Sequence, residues 1–484
     1  MVGFIHLCGL ESADQIASAV AASDPPVERF DYFCWDLYAR VTRFYEEDPD
    51  RLSLRNDVLH KMERQEGIAA EFAFSVAPRI VECHLATMER LGIRYDLLPW
   101  ESHIIGLKFW ARAFELLKKA EAIRFIDEGD KKGCWVMDLP AVGNEPPQDP
   151  KIIVRSNGTV TYVGKDIAYQ LWKLGLLGID FHYRPFRGQG PWSTCIEDGC
   201  EEHPSFGGAD RVYNVIDVRQ QYLQRVVQQG LRSLGYADAA RRSHHFSYEM
   251  VALSRACAQA MGFVDSGEAE RGAVEISGRR GYGVKADDMI DALVGAARDE
   301  VLKRRSIAAS EAETIASKIA IGALRYFMVK YTRNKVIVFD FDEVLNFEGE
   351  TGPYLLYSVV RAQNIFNKMG EREGFDPSRM AEIAAGVDFS FLESSPVDDH
   401  WEMLVLLSRF DDMVDQAIRT LEPSVIARYA FSLAQRFNHF YHQFPVMQET
   451  DRNLKSARIV LTYLFLRYQK KALGLMGIDV PARM

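Results

Sequence analysis

The sequence predicts an α/β domain followed by an all-α domain, and three observations carry that prediction. Between 151 and about 305, short β-branched runs at 152–154, 212–216 and 248–253 alternate with helical stretches at 165–175, 219–233 and 286–303. Such alternation is the pattern of a parallel sheet wound with helices, whose ligands sit at the carboxyl ends of the strands. From 306 onward the apolar spacing is helical almost throughout. A Pro-rich connector, Leu139-Pro140 through Asp149-Pro150, marks a boundary before the α/β region. The organisation expected is 1–150, 151–305 and 306–484.

From about 11 to 130 the pattern is mainly helical. Ala69, Phe72, Ala73, Val76, Ala77 and Ile80 carry helical spacing, with Pro78 placed to kink or end that helix, and Phe109, Ala113, Leu116 and Leu117 repeat it. In the last region Ile426, Tyr429, Ala430, Leu433, Phe437, Phe440 and Tyr441 form a wide apolar stripe that begins just after Pro423, a favoured first-turn residue. A final helix is expected from Thr450-Asp451 to the C-terminal glycine Gly477.

Composition bounds the function. With 484 residues, 48% hydrophobic and 26% charged, the chain has the make-up of a soluble globular protein of two or three domains. No apolar run approaches the roughly 18 residues of a membrane span, and the start lacks a basic, cleavable leader pattern. Seven scattered cysteines point to free thiols in a reducing cytoplasm. The net charge of −10 weighs against nucleic acid in general, but binding depends on a local basic face. Arg452, Lys455, Arg458, Arg467, Lys470, Lys471 and Arg483 offer one such face, and a solvated helix surface accounts for them equally well.

The most informative stretch is Ser156 to Gln170, Ser-Asn-Gly-Thr-Val-Thr-Tyr-Val-Gly-Lys-Asp-Ile-Ala-Tyr-Gln. A turn at Asn157-Gly158 leads to a β-branched run ending at Tyr162, after which Asp166 opens a helix with apolar Ile167, Ala168, Leu171 and Leu174. A carboxylate at that junction is kept ionised by free amides and the helix dipole. With a phenol four residues before it, it suits a guanidinium held by forked, charge-assisted hydrogen bonds. An N-capping Asp beside a packed Tyr is the structural alternative.

Ile153-Val-Arg-Ser-Asn-Gly-Thr159 through Asp166-Ile-Ala-Tyr169 resembles the core of arginyl-tRNA synthetases, which are class I aminoacyl-tRNA ligases. Further segments match in the family's order. Val215-Ile-Asp-Val-Arg-Gln-Gln221 looks like its next strand and loop, and Ser277-Gly-Arg-Arg-Gly-Tyr-Gly-Val-Lys-Ala-Asp-Asp288 like its ATP loop. Ile321-Gly-Ala-Leu-Arg-Tyr326 resembles the entry to its anticodon-binding domain, and Gly477-Ile-Asp-Val-Pro-Ala-Arg-Met484 its usual end. The matches cover about 150 to 484; residues 1 to 140 resemble the family more weakly.

The resemblance implies a class I Rossmann-like parallel sheet, incomplete at its amino end, followed by a helical anticodon-binding domain. Residues 1–150 would be the remainder of the first catalytic half with its helical insertion, 151–305 the second half with the ATP loop, and 306–484 the anticodon-binding domain. It implies arginine–tRNA ligation: ATP-dependent activation of L-arginine, with magnesium accompanying ATP, and transfer to tRNA(Arg). By the same resemblance Tyr162 and Asp166 hold the arginine side chain, and Gln220, or its neighbour Gln221, touches the same substrate. Ser277, Gly278, Arg279, Arg280 and Lys285 fall on the ATP loop. Its usual Lys-Met-Ser-Lys pattern is replaced here by Glu275-Ile-Ser-Gly-Arg279, so Gly278 stands where the second lysine belongs. Arg279, Arg280 and Lys285 are the cations nearest to take over that work. Tyr354, Tyr357 and Arg361 share one helical stripe, and with Asn438 and Tyr441 they match tRNA-contacting positions. The expected partners are tRNA(Arg), arginine and ATP, with no membrane, and the chain is expected to act as a monomer in the cytoplasm.

One departure is substantial. Class I synthetases carry His-x-Gly-His after their first strand, and neither His6-Leu-Cys-Gly9 nor His103-Ile-Ile-Gly106 has the second histidine. The chain reads as a synthetase that starts late: a truncated reading frame, one half of a split enzyme with a partner chain, or a tRNA-binding paralogue without full catalysis. Two further patterns compete for attention. Val336-Ile-Val-Phe-Asp-Phe-Asp342 mimics the strand and Asp pair of a haloacid-dehalogenase-type phosphatase, but the nearly all-helical sequence after it favours a short polar connection. Cys195, Cys200 and His203 supply three ligand types for zinc without an evident fourth, so no metal site is assigned.

Overall fold

The computed structural model describes residues 1–23, 27, 29–140, 149–260, 262, 284–304, 307–394 and 399–484. The chain divides into two compact units, one made of Met1–Ile93, Val251–Thr332 and Val336–Met484, the other of Arg94–Met250 with Arg333–Lys335.

The second unit holds the α/β part. Val212–Asp217 pairs in parallel with Ser243–Tyr248, register Val212 to Ser243 through Asp217 to Tyr248, with the helices Gln221–Ser233 and Ala237–Arg242 in the connection. This is the expected parallel crossover, since a parallel pair cannot be joined by a hairpin. Two expectations are corrected. The run at 152–154 is no part of that sheet; Lys151–Val154 lies antiparallel to Trp135–Met137, which pairs with Arg124–Phe125. The run at 248–253 is two strands, because the Glu249 amide bonds to the Arg333 carbonyl at 2.9 Å and leaves the ladder after Tyr248. Val251–Leu253 then pairs in parallel with Ile337–Phe339 in the other unit.

The turn at Asn157-Gly158 forms as predicted. Gly158 has φ +80°, the Asn157 side chain accepts from the Thr159 amide at 3.0 Å, and Val154 bridges Val160. The helix after it begins earlier than predicted, running Tyr162–Lys173 with Thr161 as its N-cap residue. The Thr161 amide donates to the Ile153 carbonyl at 2.9 Å, so the hairpin ends at Thr161 and the chain is free to turn helical at once. Asp166 therefore sits in the second turn rather than at the start.

In the first unit the short helix Ile16–Ala21 is followed by the helices Phe30–Glu47, Leu52–Arg64 and Gly67–Arg90, and Pro78 lies inside the last of them without ending it. The helices Ala309–Val329, Gly352–Glu373, Ser424–Gln443 and Arg452–Leu475 share one core, in which the buried rings of Phe437 and Phe465 stack 3.8 Å apart. The predicted stripe from Ile426 to Phe440 is buried there. Asp451 caps the final helix by accepting from the Leu454 amide at 2.9 Å, and Gly477, φ +67°, ends it. The strand Ile337–Phe339 replaces the polar connection expected at that point. Asp340 caps the helix Phe341–Leu345, accepting from the amides of Asp342 and Glu343, and its other oxygen accepts from Ser254. Both oxygens of the phosphatase-like aspartate are thereby committed to structure.

The contact between the helices Ala309–Val329 and Gly352–Glu373 depends on glycine. A Cβ on Gly352 would lie 2.6 Å from the Ala323 Cα and 2.8 Å from the Gly322 carbonyl oxygen, both backbone atoms that cannot yield locally. Gly352→Ala is expected to destabilise the chain by about 1–3 kcal/mol. Gly295→Ala, in a helix with nothing within 4 Å of the added carbon, is expected to stabilise it by about 0.5–1 kcal/mol. Denaturant unfolding of both variants checks the contrast.

Candidate functional site

The helix Tyr162–Lys173 is held on its buried side by two contacts. Ile167 packs against Gly230, where a Cβ would approach its side chain to 3.3 Å, and Gln170 bonds the Ser243 hydroxyl at 3.0 Å. With those positions turned inward, Tyr162 and Asp166, one helical turn apart, share the outer face. Tyr162 is 52% exposed, and neither its phenol nor the Asp166 carboxylate has a hydrogen-bond partner among the described residues. Tyr169 and Lys173 continue the row, with the Lys173 ammonium 4.4 Å from the centre of the Tyr169 ring and donating to the Asn214 side chain at 3.0 Å.

Asp166 is not kept ionised by free amides and the dipole, as its expected place at the helix start implied. Desolvation by the surrounding protein raises its carboxyl above the ordinary aspartate range, and the negative charge of Glu101 adds to the rise. Lys173 and Lys165 oppose it but are engaged elsewhere, Lys165 with Glu101 at 2.8 Å. Burial lowers the Lys173 ammonium, and the charge of Asp166 counteracts that. The outcome is an exposed carboxylate with no direct ion pair among the described residues. Such a group is costly to charge until a cation arrives.

Gln220 lies just past the carboxyl end of Val212–Asp217, exposed, and precedes the helix Gln221–Ser233 without capping it through its side chain. The turn that places it is set by Asp217, which accepts from the Arg219 amide at 2.8 Å and from the Arg219 guanidinium at 2.9 Å. Those bonds hold the Asp217 carboxyl below its ordinary range. Gln221 is exposed as well, so the choice between the two glutamines stays open.

Of the ATP-loop residues, Ser277, Gly278, Arg279 and Arg280 lie outside the described residues. Lys285 is described: its ammonium sits 4.0 Å over the Tyr32 ring and 3.8 Å from an Asp36 oxygen.

Four of the five tRNA-matching residues converge although up to 84 positions separate them, Tyr357 to Tyr441. The Arg361 guanidinium lies 4.7 Å from the ring centres of both Tyr357 and Tyr441 and donates to the Asn438 carbonyl oxygen at 2.7 Å. Asn438 is only 9% exposed, so the guanidinium has a fixed acceptor beneath it while Tyr357, 40% exposed, keeps a face toward solvent. Tyr354 stands apart from this group, half-buried 5.7 Å from Phe431.

Sequence reasoning passed over Lys173 and Glu101, which set the charge balance at Asp166, and His442, 3.5 Å from Arg361. Lys173 was findable from its helical phase with Asp166; Glu101 is distant in sequence and gave no signal. Cys195 is buried, His203 packs its ring 4.6 Å from that of Tyr183, and among the described residues no group of three or more His, Cys, Asp or Glu is placed to hold a metal ion. No helix among those residues is long and apolar enough to cross a membrane.

Residues 355–484 match the family model of the DALR anticodon binding domain. The chain is 36% identical over 452 residues to a Pyrococcus abyssi arginine–tRNA ligase, covering 93% of this chain and 67% of that protein. It is 32% identical to the Thermococcus kodakarensis arginine–tRNA ligase, covering 100% of this chain and 72% of that protein. Among solved structures, Thermus thermophilus arginyl-tRNA synthetase superposes with a TM-score of 0.78 at 29% identity, over 98% of this chain and 73% of that one. The Plasmodium falciparum arginyl-tRNA synthetase structure, at 15% identity over 90% of this chain and 62% of that one, shares the fold with a TM-score of 0.64.

Ionising Asp166 without a partner opposes folding. Its carboxyl titrates higher in the folded chain than the ordinary 3.8, so its contribution to stability falls as pH rises through that raised value. Asp166→Asn is expected to melt no lower than the parent chain at neutral pH, with any gain vanishing in acid. Thermal melts across pH test this, and a large neutral-pH loss would assign Asp166 a structural task instead.

Proposed function

The chain belongs to the arginyl-tRNA synthetase family, and from that premise we propose that Tyr162, Asp166 and Gln220 bind its amino-acid substrate. The overall activity is arginine–tRNA ligation: L-arginine is activated with ATP and transferred to tRNA(Arg). The observation that carries it is the 36% identity sustained over 93% of the chain. Residues 151–305 are proposed as the nucleotide-binding catalytic part and 306–484 as the anticodon-binding part.

The arginine carboxylate attacks the α-phosphate of ATP and pyrophosphate departs; a terminal ribose hydroxyl of tRNA then takes the arginyl group. Asp166 pairs with the guanidinium by charge-assisted hydrogen bonds, and the Tyr162 phenol lies on the same helix face to share the contact. The exposed Asp166 carboxylate, with no direct ion pair among the described residues and a raised pKa, supports this assignment, because a guanidinium supplies a paired positive charge. Citrulline has the shape of arginine without the charge and leaves Asp166 unpaired; lysine brings a charge without the planar fork. Gln220 is assigned a polar contact to the same substrate.

Arg279 and Arg280 are assigned to the triphosphate, where fixed positive charge stabilises the departing pyrophosphate. Ser277 and Gly278 complete that loop. Lys285, held beside Tyr32 and Asp36, is the weaker candidate for the missing lysine's work. Magnesium accompanying ATP would add positive charge at the triphosphate; among the described residues no cluster of three or more acidic, His or Cys side chains is placed to hold a metal ion. Arg361, Tyr357, Tyr441 and Asn438 are assigned to tRNA, the guanidinium and ring faces offering stacking surfaces for unpaired bases. Tyr354, on the same helix, is less exposed than Tyr357. The chain is proposed to work in the cytoplasm as a monomer; a partner chain supplying the His-x-Gly-His half is the alternative arrangement.

Asp166→Asn is expected to weaken L-arginine binding by roughly 2–5 kcal/mol. In the parent chain, affinity should fall as pH drops through the raised Asp166 pKa, because a protonated carboxyl no longer pairs with the guanidinium; in the variant that dependence should disappear. Calorimetric titration with arginine and citrulline measures both, and a variant that still prefers arginine would remove Asp166 from the site. Tyr357→Ala is expected to weaken tRNA(Arg) by about 1–3 kcal/mol with an unchanged melting temperature. Filter binding and thermal melts decide that point.

A further inference from the structure

Acidic residues outnumber basic ones in this chain, 68 to 58, yet the helix Gln221–Ser233 has no acidic residue among its 13 and carries two arginines. Its inner face is apolar: Val226, Val227, Gly230 and Leu231 are buried, and Gly230 receives Ile167 of the helix Tyr162–Lys173. Its outer face is one stripe, Gln221, Arg225, Gln228 and Arg232, at steps of four, three and four residues. Gln221, Arg225 and Arg232 are exposed. Gln228, half-buried, donates to the Ser243 carbonyl at 2.7 Å and ties the stripe to the strand Ser243–Tyr248.

The helices Leu52–Arg64 and Phe109–Lys119 pair cations with acids one turn away, Lys61 with Asp57 at 2.7 Å and Lys118 with Glu115 at 2.8 Å. Arg225 and Arg232 do not. Neither guanidinium has a hydrogen bond, ion pair or ring contact among the described residues. The acids nearest in sequence are engaged elsewhere, Asp217 with Arg219 at 2.9 Å and Asp238 with Arg241. Asp149, whose charge reaches Tyr222 on the flank of the stripe, pairs with Lys131 at 3.4 Å. Lys151 adds a further cation there, 5.5 Å from the centre of the Tyr222 ring.

Two arginines seven residues apart are separated by about 10 Å along the helix axis. With neutral amides around them and no competing carboxylate, they offer forked donors to phosphate oxygens. Position selects the phosphates. The stripe begins one residue after Gln220, which is assigned to the arginine substrate, and the helix is packed on the one that carries Tyr162 and Asp166. The tRNA terminus that takes the arginyl group has to reach that substrate, which brings the arm bearing it beside this helix.

We infer that Gln221, Arg225 and Arg232 form a contact stripe for the phosphate backbone of the tRNA acceptor arm. The stripe positions the arm and reads no bases, since phosphate contacts fix register without specifying sequence. The inference rests on the reading of the chain as a tRNA ligase with Gln220 at its amino-acid substrate.

Filter binding of the full chain to tRNA(Arg), an acceptor-arm minihelix and an anticodon stem–loop, each over a range of salt, tests this. Arg225→Gln/Arg232→Gln removes both charges and keeps good helix formers in place. It is expected to weaken tRNA(Arg) and the minihelix about tenfold or more and to lower the salt slope by about 2. Stem–loop binding, calorimetric arginine affinity and the melting temperature are expected to match the parent chain. Arg225→Lys/Arg232→Lys should restore the slope with the charge. Arg112→Gln/Lys119→Gln, an equal charge change on the exposed side of Phe109–Lys119, should leave tRNA binding within about twofold. A merely solvated helix face predicts no change in affinity or slope for the stripe variant, and that result overturns the proposal while the tRNA reading stands. An equal loss in the Arg112/Lys119 variant, or for the stem–loop, overturns it as well. If the double variant melts lower, Arg225→Gln and Arg232→Gln singly carry the test, each lowering the slope by about 1. A parent chain that binds none of the three RNAs overturns the tRNA reading, and the stripe with it.

Discussion

One hydrogen bond governs the geometry of the proposed arginine site: the Thr161 amide donating to the Ile153 carbonyl at 2.9 Å. It closes the hairpin that turns at Asn157-Gly158 and leaves the chain at Tyr162 with helical dihedrals available and no strand partner to satisfy. The start of the helix is therefore set, and with it the phase of every residue as far as Lys173. Ile167 and Gln170 turn toward Gly230 and Ser243, and Tyr162 and Asp166 turn away. A start one residue later would swing each side chain by about 100° and exchange the buried and exposed sets.

The two proposed binding surfaces solve opposite electrostatic problems. At Asp166 the carboxylate is exposed and forms no hydrogen bond or ion pair among the described residues, which leaves it open to a guanidinium from outside. At Arg361 the fold supplies the acceptor itself, through Asn438, and places the cation between two rings. The first arrangement favours selection of one small charged substrate, since the wrong side chain leaves a charge unmet. The second offers flat, preorganised faces, which suit bases that stack without strict regard to identity. A ligase that must distinguish its amino acid sharply and hold a large nucleic acid broadly has use for both.

The same contrast extends to Asp287, at the start of the helix Ala286–Arg304. There the carboxylate is fully met, by two guanidinium groups and a hydroxyl. Comparable side chains, Asp166 and Asp287, thus differ in what surrounds them. Neither difference is visible from the residue type or from its neighbours in sequence.

Much was legible from sequence alone, because helical and strand periodicity is a local property. The long helices from 309 to the end, the turn at Asn157-Gly158, the Asp451 cap and the C-terminal Gly477 all follow from spacing and turn chemistry, and the family follows from segments matching in order. The four-residue separation of Tyr162 and Asp166 likewise placed them on one face before any coordinates. Tertiary structure decided what depends on residues far apart in the chain. It split the run at 248–253 when Arg333 took the Glu249 amide, moved the start of the arginine-site helix to Tyr162, and reversed the expected direction of the Asp166 pKa through desolvation and Glu101. It also gathered Arg361, Asn438 and Tyr441 into one cluster and brought Arg29, Thr87 and Arg90 onto Asp287. Burial and electrostatic balance are sums over neighbours in space, and those neighbours exist only once the chain has folded.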